Sequence, residues 1–181
     1  MRNYKELVTF VITISLSVVI GSAQSVRTDK TDKDKNYELN YATLSAKVDK
    51  EVIRKEIYYL AKDPLPRRVL NWALPGHLTN VTRFTTAEEE KLADLMDSLN
   101  KQHALGLEQT KYHSKQPGDD DGSFINAGFP WSVLNIGSWP YGDPNYHIEG
   151  DTPEKVDYEN EAVTVKLTIA AILHLDIYGR P

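Results

Sequence analysis

The C-terminal segment from about Tyr158 to Asp176 constrains the fold more than any other part of this sequence. The apolar side chains of this predicted helix lie nearly all the way round it: Val163, Val165, Leu167, Ile169, Ile172 and Leu173. A helix that is apolar on every side has to be buried by neighbouring elements. We therefore expect both a sheet and a second helix to cover it, and we expect Thr152-Pro153 and then Asp157 to mark its start.

Two shorter helices are predicted earlier in the chain. Asp49 is a candidate N-cap for a helix that continues to Leu60, and the prolines that follow end it. The segment Thr86-Ala-Glu-Glu89 has the pattern of a capping box, in which a hydroxyl and a carboxylate accept hydrogen bonds from free N–H groups at the helix start. It precedes a stripe of apolar residues at helical spacing: Leu92, Leu95, Met96 and Leu99.

The remaining segments are predicted to be one strand and long loops. Residues 64–85 are predicted to form a loop, and they contain Asn80-Val-Thr82, an N-glycosylation sequon that has meaning only in a eukaryotic source. Residues 131–136 are largely apolar and partly β-branched, which predicts a strand. Open α/β sheets form their sites beyond the carboxyl ends of their strands, so we expect this strand to present the following loop there.

That following loop carries the most informative motif of the chain. Residues 139–157, WPYGDPNYHIEGDTPEKVD, are rich in proline, glycine, aspartate and asparagine and have His147 at their centre. The stretch resembles the last metal-ligand segment of metallopeptidase family 28, the zinc aminopeptidases of clan MH. In that family a Tyr-His followed closely by Asp-Thr supplies the final zinc ligand. The resemblance gives this role to His147, which follows Tyr146. A solvated surface loop is the alternative.

Two more segments are similar to the same family. Residues 53–63, IRKEIYYLAKD, resemble its opening helix. Residues 118–130, GDDDGSFINAGFP, resemble a Ser-Asp-His…Phe…Ala-Gly-Ile-Pro element that lines the active-site pocket. Asp120 falls on the aspartate of that element, and Asp121 falls where a histidine is common. The resemblance therefore makes Asp120, Asp121 and Tyr146 candidates for the pocket lining, with a solvated acidic loop as the alternative.

Most of the family's metal centre has no counterpart in this sequence. The family holds two zinc ions with five side chains, which include a His-x-Asp pair and an adjacent Glu-Glu pair that supplies the general base. The literal His-x-Asp here is His174-Leu-Asp176, and its place at a helix C-terminus is explained by the helix dipole. The chain resembles the beginning and end of a family domain joined near residues 105–112. The implied fold class is α/β: a reduced remnant of a three-layer αβα zinc-exopeptidase fold, helix-rich with few strands, over residues 45–181.

The N-terminal residues predict export. Residues 1–23 have basic residues at positions 2 and 5 and then an apolar run that is shorter than the ~20 residues of a spanning helix. Cleavage after Ala23 is favoured, and an uncleaved anchor is the alternative. The expected location is secreted, periplasmic or extracellular, without a membrane partner after cleavage. Residues 24–44 are predicted to form a polar, flexible linker, because residues 25–36 are almost wholly polar and carry alternating charge.

Composition excludes several kinds of chemistry. The sequence has no cysteine, so it can form neither a disulfide nor a thiolate metal site. A net charge of −5 gives no basic footprint, so nucleic acid is not an expected partner.

Three hypotheses for function follow from the resemblance. The first is a zinc-dependent aminopeptidase that acts on peptides or protein N-termini. Since a catalytic zinc normally has three protein ligands, and the motifs place only His147, we expect this chain to be inactive. The second is a non-catalytic secreted remnant that binds peptides or another protein. The third is the product of a gene deletion or an error in the gene model.

Overall fold

The computed structural model describes residues 30–60, 77–118, 120–136, 150 and 152–181. In chain order they form α1 (Lys30–Ser45), α2 (Lys50–Leu60), β1 (Thr79–Phe84), α3 (Ala87–Gln102), β2 (Glu108–His113), α4 (Asp120–Asn126), β3 (Leu134–Ile136), a 3-10 turn (Pro153–Lys155) and α5 (Tyr158–Tyr178). The described part is helix-rich with one small mixed sheet. The predicted class, α/β with many helices and few strands, is confirmed.

The sheet of the described residues has the strand order β2-β1-β3. β1 and β2 are parallel, with Thr79 opposite Glu108 and Phe84 opposite His113. α3 connects them, so β1, α3 and β2 form a βαβ unit. The predicted junction near residues 105–112 lies in this unit, since most of β2 falls within it.

The loop predicted for residues 64–85 is wrong from Thr79 to Phe84, which form the central strand. The sequence of β1, TNVTRF, is too polar to give the apolar run or the clean alternation that indicates a strand. Its polar side chains are nevertheless buried, since Asn80 and Thr82 are fully excluded from solvent. The Nδ2 of Asn80 and the hydroxyl of Thr82 form hydrogen bonds to distant parts of the chain, whereas the Oδ1 of Asn80 is buried without a partner among the described residues. A local pattern cannot show such partners.

The apolar α5 helix lies at the centre of the helical part of the molecule. It packs against α1, α2 and α3. Leu167 and Ala170 on α5 and Leu99 on α3 are almost completely buried in the main core cluster. The backbone N–H of Thr79 donates to the Oδ1 of Asn160 over 2.7 Å and ties the first turn of α5 to β1. The prediction that a neighbouring helix covers α5 is confirmed, and three helices do so.

The flexible linker predicted for residues 24–44 is wrong from Lys30 onwards. These residues form α1, which packs along α5. Only 2% of Tyr37 and 9% of Tyr41 is exposed to solvent. Tyrosines four residues apart lie on one face of a helix, and each can bury a large ring. This pair belongs to the main core cluster and attaches a segment whose overall composition predicts disorder.

The predicted helix starts are confirmed. The carboxylate of Asp49 accepts a hydrogen bond from the N–H of Glu51 over 2.7 Å at the start of α2. Thr86 and Glu89 form the capping box of α3. Asp157 caps α5. Each of these is a contact between near neighbours in sequence, which is why the sequence predicts it.

The predicted strand is shorter than expected, with β3 confined to Leu134–Ile136. No helix among the described residues is both long enough and apolar enough to cross a membrane. The predicted signal peptide, residues 1–23, lies outside the described residues.

Candidate functional site

The predicted zinc ligand His147 and its neighbour Tyr146 lie outside the described residues, so their roles stay predictions. The other two predicted site residues, Asp120 and Asp121, are the first two residues of α4. Asp120 is exposed, whereas 2% of Asp121 is accessible. Of the two acidic residues that the resemblance places at the pocket, the second is thus a buried charge.

Asp121 forms an ion pair with Arg83 at the carboxyl end of β1. The Nη1 of Arg83 lies 3.3 Å from the Oδ1 of Asp121, and these side chains are 10% and 0% exposed. The Nη2 of Arg83 donates to the hydroxyl of Ser114 over 3.2 Å and to the carbonyl oxygen of Gln116 over 3.0 Å. The Asp121 Oδ1 also accepts the N–H of Gly122 over 2.9 Å. A charge-assisted network therefore holds this carboxylate against the chain's own guanidinium.

A second buried carboxylate lies just after the same strand. Glu89 is fully buried, and its Oε2 accepts the N–H groups of Thr85 over 2.5 Å and Thr86 over 3.0 Å. Its Oε1 and the hydroxyl of Thr85 are buried without a hydrogen-bond partner among the described residues. Glu89 serves the helix start, in agreement with its interpretation from sequence as an acidic residue of the first turn.

The direction of β3 differs from that of β1 and β2. β3 runs antiparallel to β1, with Leu134 opposite Arg83 and Ile136 opposite Val81. The chain therefore leaves β3 toward the edge where β1 begins. The carboxyl end of β3 therefore lies at the opposite edge of the sheet from the carboxyl ends of β1 and β2, because strand direction is set by pairing and not by composition. The loop itself, residues 137–149, lies outside the described residues.

A network of polar side chains on one face of the sheet had no signal in the sequence. The Nδ2 of Asn80 donates to the Oε1 of Gln109 over 2.7 Å and lies 3.4 Å from the Oδ1 of Asn135. The hydroxyl of Thr82 donates to Asn135 over 2.8 Å and accepts from Gln109 over 2.9 Å. Asn80 is the acceptor residue of the sequon, and here it is fully buried in the central strand.

A cluster of imidazole and phenol rings lies where α1 meets α3 and α5. The hydroxyl of Tyr37 is 2.7 Å from the Nε2 of His103, and the ring of Tyr41 stacks on the same imidazole with centroids 3.7 Å apart. His174 meets Tyr37 edge-on at 6.3 Å and Tyr178 at 4.8 Å. We call these five residues the imidazole–phenol cluster. The sequence gives one indication of this cluster: two pairs of its rings, residues 37 and 41 and residues 174 and 178, are spaced one helical turn apart.

Burial shifts the pKa values within the imidazole–phenol cluster. It lowers the pKa of His103, against an opposing effect of the Glu38 carboxylate, and it lowers the pKa of His174. Burial also raises the pKa of Tyr37 far above its usual value, with smaller contributions from Glu38, Tyr41 and Tyr178. It raises the pKa of Tyr178 to about 12, with help from the hydrogen bond to Asp34. The cluster is therefore arranged to hold neutral rings.

Across the part of the chain that the structure describes, no three histidine, aspartate or glutamate side chains lie close enough together to hold a metal ion. No family model, curated protein or solved structure matches this chain. The resemblance to zinc aminopeptidases consequently rests on sequence motifs alone, those of residues 53–63, 118–130 and 139–157.

Proposed function

We propose that this chain is a secreted protein related to the zinc exopeptidases of metallopeptidase family 28 and that it does not hydrolyse peptides. Its proposed function is to bind ligands without cleaving them. The resemblance implies that these ligands are peptides or protein N-termini. His147 is its single motif-placed zinc ligand.

The ion pair of Arg83 and Asp121 carries this proposal. Asp121 is the buried acidic residue that the resemblance places at the pocket, and Arg83 neutralises it at 3.3 Å. A carboxylate has to leave such a partner before it can bind zinc, and an arginine left buried without a counter-charge costs about 3–5 kcal/mol. Ligation by Asp121 is thus energetically disfavoured in this fold.

The chemistry of zinc points the same way. A single imidazole leaves the ion mostly hydrated, and the pKa of bound water falls to ~7 only in a fixed site with several protein ligands. His147 alone supports weak binding, not the activation of water. Peptide hydrolysis would also need a positioned general base, for which the sequence offers no motif-matched residue.

Metal content and turnover test the proposal directly. The purified chain is dialysed against zinc, its bound metal is measured, and aminoacyl-nitroanilide substrates are assayed beside His147→Ala. His113→Ala is the matched control, because this exposed histidine on β2 lies outside the predicted loop. We expect at most one weakly held zinc, weakened further by the change at His147 alone, and no turnover. Two stoichiometric zinc ions with turnover that requires His147 would refute the proposal.

The proposed secretion has its own test. A host that exports the chain should release a product that begins at Gln24, and N-terminal sequencing of the protein in the medium shows this. A product that stays in the membrane fraction with residues 1–23 attached would show that the segment is an anchor.

A further inference from the structure

We infer that protonation of His103 and His174 releases α1 from the rest of the fold. The imidazole–phenol cluster would then act as a pH-sensitive latch between a detachable helix and the core. This inference concerns α1, α3 and α5 and is independent of the proposed function.

α1 is held by a narrow strip of its surface. Tyr37 and Tyr41 are its buried residues, while Leu39 on the same helix is 68% exposed. Most of the other side chains of α1 are exposed as well. Because these two rings are the buried side chains of the helix, its docking free energy depends strongly on their partners.

The partners of these rings are the two histidines. Tyr37 approaches both imidazoles, with its hydroxyl on the Nε2 of His103 and its ring edge-on to His174. Tyr41 stacks on His103. His103 is the C-cap of α3 and His174 belongs to α5, so both elements that receive α1 present a titratable ring to it.

Three charged side chains of α1 lie beside the cluster, and each forms a hydrogen bond to the end of α3 or α5. On α1, the Nζ of Lys33 donates to the carbonyl oxygen of Ile177 over 3.3 Å. The Asp34 carboxylate accepts the hydroxyl of Tyr178 over 2.7 Å, at the end of α5. The Glu38 carboxylate accepts the side-chain amide of Gln102 over 3.0 Å, at the end of α3. Of these groups, Glu38 favours a protonated His103, and burial outweighs it.

The sign of the pH effect follows from these surroundings. Above a pH of about 6.5 the histidines are neutral whether α1 is docked or free, so docking does not depend on their titration. Below that pH the freed, hydrated imidazoles take up protons, while the docked ones resist because burial lowers the pKa of His103 and of His174. Docking therefore weakens as the pH falls from about 6.5 through the lowered pKa values of the docked histidines.

The hydrogen bond between Tyr37 and His103 also makes docking stronger when His103 is neutral. A neutral imidazole with a bare Nε2 accepts the Tyr37 hydroxyl at 2.7 Å. A protonated ring has no acceptor nitrogen, so the phenol has to reverse its role. The other acceptor that the described residues place within reach of this hydroxyl is the carbonyl oxygen of Ala170 at 3.5 Å, a much longer distance than the 2.7 Å to Nε2, so the docked geometry favours a neutral His103.

Amide hydrogen exchange of the full chain tests the inference, with rates corrected for the intrinsic effect of pH. Between about pH 7.5 and about pH 5, the protection of α1 amides should fall at least about tenfold, while amides of α3 and α5 keep theirs. In the variant His103→Gln/His174→Gln, the protection of α1 should lose this pH dependence. The matched control is His77→Gln/His113→Gln, which changes two exposed histidines at the sheet and should behave as the unchanged chain.

A surface variant keeps the test decisive if the double substitution impairs folding. Glu38→Gln removes the carboxylate that favours protonation of His103 and leaves an amide able to contact Gln102. Since the docked imidazole then resists protonation more strongly, α1 should be released at a less acidic pH. The inference is overturned by equal protection of α1 at both pH values, by loss of protection throughout the fold at once, or by release that is the same in Glu38→Gln.

Discussion

The guanidinium of Arg83 and the carboxylate of Asp121 lie 3.3 Å apart between β1 and α4, with both side chains almost wholly excluded from solvent. The pair joins the central strand to a short helix that carries part of the peptidase resemblance. A buried pair of this kind gives the strongest single prediction about stability, because either partner alone becomes an uncompensated charge.

Removing the charge of Asp121 should destabilise the fold far more than breaking a surface pair. Asp121→Asn is expected to lower the free energy of unfolding by about 3 kcal/mol, because it leaves Arg83 buried without the counter-charge that the described residues provide. Lys50→Met, which breaks the exposed pair with Glu159 over 2.5 Å, should leave the free energy of unfolding nearly unchanged. Urea denaturation measures both. Adding Arg83→Met to Asp121→Asn should cost less than the sum of the two single changes, and strict additivity would show that the pair is not coupled.

The sequon at Asn80 should remain without a glycan in the folded protein. Asn80 is fully buried in the central strand and bonded to side chains on both neighbouring strands, so an attached glycan is incompatible with the sheet. In a glycosylating host, mass spectrometry of the soluble chain should find an unmodified Asn80. Any glycosylated fraction should be confined to misfolded material. A soluble, cooperatively folding form that carries the glycan would contradict the register of β1.

Because of the capping box, substitution of Glu89 should destabilise the fold more than substitution of the neighbouring Glu88. Glu89→Ala deletes the acceptor of two backbone N–H groups and should lower the free energy of unfolding by about 1–2 kcal/mol. Glu88→Ala, an exposed residue of the same helical turn, is the control and should lie within about 0.5 kcal/mol of the unchanged chain. Thermal unfolding followed by circular dichroism gives the comparison, and similar losses for both variants would count against the box.

Alkaline pH should destabilise the docking of α1 through its tyrosines. Burial raises the pKa of Tyr37 and of Tyr41, so the free helix loses phenolic protons above a pH of about 10 while the docked helix retains them. The stability that these tyrosines contribute is complete below that pH and is lost as the pH rises through their raised pKa values in the docked state. Phenolate absorbance should show late titration in the folded chain, and Tyr37→Phe should remove one late-titrating group. An unchanged titration curve in that variant would refute the assignment.

The resemblance to a zinc aminopeptidase depends on residues of which only part lies in the described structure. Sequence placed Asp120 and Asp121 together at the pocket, and the structure separates their environments into one exposed and one buried carboxylate. The burial of Asp121 could not be predicted, because this side chain pairs with Arg83, 38 positions away. His147 keeps its predicted role on motif alone.

The sequence by itself determined the features that depend on near neighbours. The N-caps Asp49 and Asp157, the capping box of Thr86 and Glu89, and the extent of α5 follow from hydrogen bonds and apolar spacing within a few residues. Only the tertiary structure decided the polar central strand, the direction of β3 and the docking of α1. Asn80 is stable in β1 because Gln109 and Asn135 meet it, and α1 is ordered because Tyr37 reaches His103 across 66 positions. Such partners offset the cost of burying polar groups and ordering polar segments, and no local pattern shows where the folded chain will place them.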